Sequence, residues 1–583
     1  MLSTKAYRAR SVRRAVERRR LIIIAAAAVI AAAIVFLLVI KPHFLSEKGK
    51  AKRHVKHKST VPAAGKTRAA KPSAPPKPRL TGIVDTDIVN YAAYLVSRGV
   101  RRVRYTVWSF GGPHDLMRGY AIAEAAYKLN MLLAEKKIPL RIQVDTVFMR
   151  TDGNKFLSTL IKAYREGRGP DIVAVTPQQL AVLADNGYIM DLTRRLKAYE
   201  ARELRDYYKS LLEAGRIRGK AYGIPCEADT WLLYWSATAT KCLSARMGES
   251  VQAKLKLGVE RAEITWSSIY DYMRLAVADN CASWGLLYSE GGEYEHIALF
   301  VYAFGGRLFD PSKGKLVFEP SAIREWLRFE WRLARENLMP SDIMKWYTDS
   351  QLYPAVLSDE TMLWIGSVRD WIIWQKKPYY WDARRGLERP LTSTELKQKF
   401  YYTLFPAGSR DKKPLVLANP ILWAISNTAG RQNPSYKELR DIYETIALIL
   451  LLKANDPEIS ALHSIISFKL PPREKTARLL GSRKWPTRAT ALHAGLSNEL
   501  KERMNRILAE NKHDAWFLAE ISPMLKHAKT PPPHPLYKKY MKILAISLAN
   551  VLQNKLKPEE AVNYAEQLIR KDSQLYKNTI VLR

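Results

Sequence analysis

An α/β fold is what the sequence predicts, and three features of the chain between residues 100 and 180 carry that prediction. Runs that alternate polar and apolar at period two stand between longer runs with helical spacing, and glycine-containing turns separate the two. The run Asp171–Thr176 (DIVAVT) is apolar enough to be a strand buried on both faces. Strands separated by helices of about a dozen residues imply βαβ units and a parallel sheet.

In chain order, residues 1–20 form a basic tail, and Leu21–Ile40 (LIIIAAAAVIAAAIVFLLVI) is an uncharged run twenty residues long. At about 1.5 Å per residue it spans the roughly 30 Å hydrocarbon layer, which the apolar part of a cleavable signal peptide does not. It is therefore expected to be a transmembrane anchor. Eight Lys and Arg lie between Lys5 and Arg20 and seven between Lys41 and Lys58, so flanking charge leaves the orientation open. Residues 41–99 begin as a Lys/Ala/Pro-rich stretch with few large apolar residues and are expected to be a solvated tether.

The chain carries 94 Lys+Arg against 56 Asp+Glu, a formal net charge of +38. Residues 1–80 hold 20 of those cations and only Glu17 and Glu47 as anions, so almost half the excess sits beside the apolar run. Cations there suit anionic headgroups. No aromatic residues interleave with Lys50–Lys58 to stack bases, and nucleic acid is not expected as a partner. A hydrophobic content of 47% excludes a disordered chain, and 3 Cys exclude a disulfide framework.

From residue 100 the texture is globular. Arg102–Trp108 (RVRYTVW) alternates, Phe110–His114 (FGGPH) turns, and Asp115–Lys137 has helical spacing. Leu140–Val147 (LRIQVDTV) alternates again, an amphipathic helix follows near Asn154–Arg165, and Gly167 to Pro170 lead into the buried strand.

At this point the residues carry a family pattern. Gly169-Pro170-Asp171-Ile172-Val173 with Asn186 to Leu192 (NGYIMDL) resembles the "GPDvv … aG.l.dL" segment of family 1 extracellular solute-binding proteins, the receptors of ABC importers. Arg218 to Pro225 (RGKAYGIP) followed by Trp231 to Ser236 (WLLYWS) is similar to that family's hinge crossing. Thr265-Trp266, Phe304-Gly305-Gly306, Asp359 to Gly366, Leu404 to Pro406 and Pro558 to Ala561 continue the likeness in order to the end of the chain. The resemblance implies two α/β lobes that close over ligand like a hinge. Lobe one would be about 100–228 and 418–468, and lobe two about 232–402 and 470–583. Such a receptor faces outward, with residues 1–20 in the cytoplasm, an ABC permease as partner and a small solute, expected to be a carbohydrate, as ligand.

Carried over motif by motif, the ligand positions fall on Trp108 and Phe110 after the first strand, and on Thr176 and Gln178 after the third. They also fall on Asp229 in the hinge, Glu290 and Glu293 before a lobe-two helix, and Trp364 and Arg369 after the "AM…g" segment. Asp229 lies between Pro225 and Tyr234, where a carboxylate either grips a sugar hydroxyl with both oxygens or is satisfied by backbone amides or an Arg at the junction. Trp108, Trp364 and Trp371 suit either packing or stacking on a sugar. Arg369 suits a carboxylate on the ligand or on the protein. The stretch Ala174 to Gln179 (AVTPQQ) holds no aromatic residue, which speaks against a maltodextrin-like subtype.

No His-Glu-x-x-His, Cys-x-x-Cys, Walker A loop or Gly-x-Ser-x-Gly elbow occurs, so no catalytic group, cofactor or metal is expected. A carbohydrate-cleaving alternative would pair Asp229 with Glu293, and a membrane-tethered nucleic-acid binder would use the net charge. Of Cys226, Cys242 and Cys281, a Cys226–Cys242 bridge and a buried free thiol are both open readings.

Overall fold

The protein is represented by a computed structural model that describes residues 76–288, 294–382, 384, 386–482 and 498–582. The apolar run Leu21–Ile40, most of the tether, Glu290 and Glu293 lie outside the described residues. Among the described residues no helix is long and apolar enough to cross a membrane. Ala74–Arg583 forms one compact unit.

Its frame is a sheet of nine strands: β1 (Arg102–Phe110), β2 (Arg141–Met149), β3 (Ile172–Val175), β4 (Ile224–Ser236), β5 (Trp284–Leu287), β6 (Thr361–Ser367), β7 (Phe400–Thr403), β8 (Val416–Ile425) and β9 (Ala528–Lys529). The order is β2-β1-β3-β8-β4-β6-β5, with β7 paired to β4 and β9 to β8. The βαβ reading holds for β1–β2 and β1–β3, and β5 and β6 are also parallel. The sheet is nevertheless mixed, because β8 runs antiparallel to β3 and to β4, and β4 antiparallel to β6. A strand that returns through the junction of two halves must reverse direction, and no period-two pattern within one strand announces that.

The thirteen-residue β4 crosses between the halves. Its first part, Ile224 to Trp231, pairs with β8, and its last part, Trp231 to Trp235, pairs with β6. Helices cover both halves. In α1 (Val84–Ser97), Val84, Ile88, Tyr91, Ala92 and Leu95 recur at helical spacing and are buried. That helix corrects the tether boundary at residue 99. Its buried Asp87 accepts hydrogen bonds from Thr81 N and from the Tyr199 hydroxyl, each at 2.8 Å, which ties the segment to the body.

Helix α2 (Met117–Glu135) connects β1 to β2, and α3 (Gly153–Arg165) connects β2 to β3. The Asp152 carboxylate caps α3 by accepting from Asn154 N and Lys155 N at 3.0 Å, and the helix buries Phe156, Leu160 and Ala163 along one stripe. Thr176 and Gln179 close a capping box on α4 (Pro177–Asp185).

Cys242 is bridged to Cys281, with Cα atoms 5.6 Å apart, and Cys226 is a buried free thiol. The Cys226–Cys242 pairing fails for a geometric reason. Beyond Cys226, β4 runs on to Ser236 at about 3.3 Å per residue, which carries Cys242 far outside bonding range.

Candidate functional site

The carboxyl ends of β1, β3 and β6 and the middle of β4 meet where the two halves of the sheet join, the place where open α/β sheets hold ligands. The chain leaves β1 through Gly111, Gly112, Pro113 and His114, and this turn wraps the side chain of Asp115. Gly111 has φ +138, and a Cβ there would lie 2.5 Å from Asp115 Oδ2, so the position requires glycine. Gly112 N donates to the same oxygen at 2.8 Å.

Asp115 belongs to a buried ionic cluster beneath the junction. Arg118 Nη2 donates to Asp115 Oδ1 at 3.1 Å, and Arg118 Nε to Glu227 Oε1 at 2.7 Å. Lys469 Nζ lies 3.3 Å from Glu227 Oε1 and 3.8 Å from Asp115 Oδ1. Burial works against the ionised form of Glu227, but Arg118 and Lys469 outweigh it and hold the carboxyl well below its ordinary range. The carboxylate is therefore an acceptor, and His463 Nε2 donates to its Oε2 at 2.7 Å.

Two residues beyond Glu227 on the same face of β4 stands Asp229, half-buried, opposite Asn419 of β8. Its Oδ1 accepts from Thr230 N at 2.9 Å. Burial raises its carboxyl pKa, and Lys469 and Arg369 partly oppose the shift. Asn419 Nδ2 donates to Glu295 Oε1 at 3.1 Å, at the start of α5 (Glu295–Ala303), so the two halves of the unit touch beside Asp229. From the end of β6 come Arg369, with 29% of its side chain exposed and 4.0 Å from Asp115 Oδ1, and Asp370. Burial pushes the Asp370 carboxyl up to about 7, although Tyr353 Oη at 2.6 Å and Ser367 N at 2.8 Å donate to it.

Of the residues singled out from sequence, the structure brings Asp229 and Arg369 together at the junction, within electrostatic reach of each other. Glu290 and Glu293 lie outside the described residues, and the others are elsewhere or committed to packing. Trp108 is half-buried in β1 against the apolar core. Phe110 is buried and stacks on Phe156 with centroids 4.6 Å apart, and the Arg118 guanidinium sits over its ring. Thr176 is the helix cap, and Gln178 Nε2 donates to Pro532 O at 3.0 Å. Trp364 is 1% exposed, with Tyr234 stacked on it at 4.4 Å and Trp374 tilted against it at 4.7 Å, so its buried ring is closed to a ligand. Trp371 is likewise buried, stacked on Phe517 and donating to Asp514 Oδ1 at 2.9 Å.

Sequence reading missed His114, Asp115, Arg118, Glu227, Asp370 and Lys469. The i, i+3 pair Asp115/Arg118 and the i, i+2 pair Glu227/Asp229 are local signals that were available. Nothing local marks Lys469, which reaches the cluster only through the fold. Among the described residues no group of His, Cys, Asp and Glu is placed to hold a metal ion.

Residues 141–389 match the family model described as bacterial extracellular solute-binding protein. The match spans 249 of the 583 residues. The sugar-binding protein MalE of Xanthomonas citri is 16% identical over 81% of this chain and 98% of that one, with a TM-score of 0.55. Maltose-bound MalE3 of T. maritima is 16% identical over 81% of this chain and 100% of that one, with a TM-score of 0.50. The cyclic alpha-maltosyl-1,6-maltose binding protein of Arthrobacter globiformis is 16% identical over 80% and 97%, with a TM-score of 0.51. At such identities the likeness is one of fold, and the α/β fold of this chain is that of two-lobed MalE-like proteins. A search of the curated proteins returns no match.

Proposed function

We propose that the protein is a membrane-anchored, extracytoplasmic receptor of an ABC importer that captures a carbohydrate-class solute by closing two lobes around it and presents it to a permease. The observation that carries this reading is the crossing of β4 between the two halves of the sheet, with the half-buried Asp229 at the crossing and Arg369 beside it. Lobe one is about 100–228 and 418–468, extended by α1, and lobe two about 232–402 and 470–583. Closure is stabilised only by the solute's stronger binding to the closed form, which the permease would then read. Leu21–Ile40 supplies the anchor, residues 1–20 stay in the cytoplasm, and the basic segment after the run lies against anionic headgroups. The family and its structural neighbours are binding proteins, and the reading assigns no bond-breaking group.

The test is thermal unfolding of the full chain in detergent against mono- and oligosaccharides, amino acids, polyamines and phosphate esters. A ligand at about 100 times its Kd stabilises by about 2.7 kcal/mol. A rise in Tm with one saccharide class that Asp229→Ala abolishes, without lowering the Tm of the free protein, supports the receptor. Turnover of a glycan, or no shift with any compound, refutes it.

A further inference from the structure

Beside the junction lies a cavity of about 130 Å3 whose lining includes His114, Arg369, Lys376, Lys377, Ser467 and Phe468. It has room for about four water-sized groups at about 30 Å3 each. That suits a substituent of a ligand better than a whole sugar ring. The lining comes from both sides of the junction: His114 follows β1, Ser467 and Phe468 end α6 (Pro457–Ser467), and Arg369 to Lys377 follow β6. Among the described residues no carboxylate lines it.

Two polar groups at this cavity, Arg369 and His114, lack a side-chain hydrogen-bond partner among the described residues. Among the described residues the Arg369 guanidinium donates no hydrogen bond, and its nearest carboxylate oxygen, Asp115 Oδ1 at 4.0 Å, already accepts from Arg118. The other oxygen of Asp115 accepts from Gly112 N. Asp229 feels the charge of Arg369 but gives Oδ1 to Thr230 N. His114 Nδ1 is buried with no partner among the described residues. Lys376 Nζ lies 3.2 Å from Glu510 Oε2 and 3.4 Å from Asn511 Oδ1, with 29% of its side chain exposed, and Lys377 turns to Asp349 at 3.2 Å. Burial first, then Lys376 and Arg369, lower the His114 pKa to about 4 against the opposing charges of Asp115 and Glu510. A planar guanidinium without an acceptor, next to an ammonium and a neutral imidazole, recognises an oxyanion.

We propose that the solute is an anionic saccharide, whose carboxylate, sulfate or phosphate group seats in this cavity against Arg369 and Lys376. The inference rests on the receptor reading and specifies its substrate class.

Matched pairs that differ in one kind of charged substituent decide it: D-galactose against D-galacturonate, D-galactose against its 6-sulfate, D-glucose against its 6-phosphate, and trigalacturonate against α-1,4-linked galactotriose. Each is titrated calorimetrically into the full chain in detergent, as wild type, Arg369→Gln and Lys376→Met. A charged member should bind at least about 10-fold tighter than its neutral partner, and Arg369→Gln should weaken that binding by about 10- to 100-fold while leaving Tm unchanged. Lys376→Met should weaken it less and keeps the test open if Arg369→Gln fails to fold. Which of the three charged groups binds identifies the oxyanion. Neutral members binding as tightly as charged ones, unaffected by either variant, would overturn the anionic class and leave the receptor reading standing. Tight binding of a charged member that survives both variants would place the anion elsewhere and overturn the site. Binding by no member would refute the receptor reading and the inference with it.

Discussion

Replacing Glu330 by Gln should remove one pH-dependent weakness of the fold, and its size follows from where the carboxyl sits. Glu330 is wholly buried in the helix Pro320–Arg335, and its two hydrogen-bond donors, the Tyr288 hydroxyl and the Trp326 indole, are neutral. Burial raises its pKa from 4.5 to about 7, against the pull of those donors. Below pH 4.5 the carboxyl is protonated in both folded and unfolded chains. Between 4.5 and 7 the unfolded chain releases its proton first, so the folded form binds more protons and stability falls as pH rises. Above pH 7 both forms are ionised and the loss stays constant. At about 1.4 kcal/mol per pH decade the full loss is about 3 kcal/mol. Gln keeps the shape: its carbonyl accepts from Trp326, and its NH2 donates to the Tyr288 oxygen. Urea unfolding of the compact unit Ala74–Arg583 should therefore show Glu330→Gln gaining about 2–3 kcal/mol on wild type between pH 5 and pH 8. An offset that is the same at both pH values would refute the buried titration.

Three further outcomes are expected. Glu227→Gln leaves Arg118 and Lys469 buried without their shared carboxylate, and the urea midpoint should fall by the equivalent of about 3–5 kcal/mol with the slope unchanged. The Cys242–Cys281 bridge closes a loop with a sequence separation of 39, so Cys242→Ser should cost about 4 kcal/mol. Thiol titration in guanidinium should find Cys226 alone without reductant and all three cysteines with it. Gly111→Ala forces a side chain into φ +138 and against Asp115, and should cost about 1–3 kcal/mol of stability. Gly112→Ala, whose Cβ would stand 3.6 Å from Asp115 Oδ2, should be mild on the same urea assay.

The sequence by itself determined the periodic elements of the first half of the sheet. The alternation in Arg102–Trp108, the apolar run around Ile172–Val175 and the amphipathic stripe of Phe156, Leu160 and Ala163 are local patterns, and each became the strand or helix that its period dictates. Motif order also placed Asp229 in a crossing strand, and residues 141–389 match the model of the family those motifs resemble. What needed the tertiary structure were the consequences of long-range closure. Lys469 and His463 reach Glu227 across more than 230 positions, the direction of β8 reverses the parallel sheet, and Cys242 finds Cys281 and leaves Cys226 free. The tryptophans show the same limit. Composition supplies aromatic rings, but only packing decides whether the ring of Trp364 is already buried against Tyr234 and Trp374. The Arg369 guanidinium, which donates no hydrogen bond among the described residues, is the converse case. Its charge is plain in the sequence, yet its lack of an acceptor among the described residues arises only once Asp115 has been claimed by Arg118 and Gly112. Periodicity is fixed by neighbours a few residues away, whereas hydrogen-bond satisfaction is fixed by whatever the whole chain brings within 3 Å.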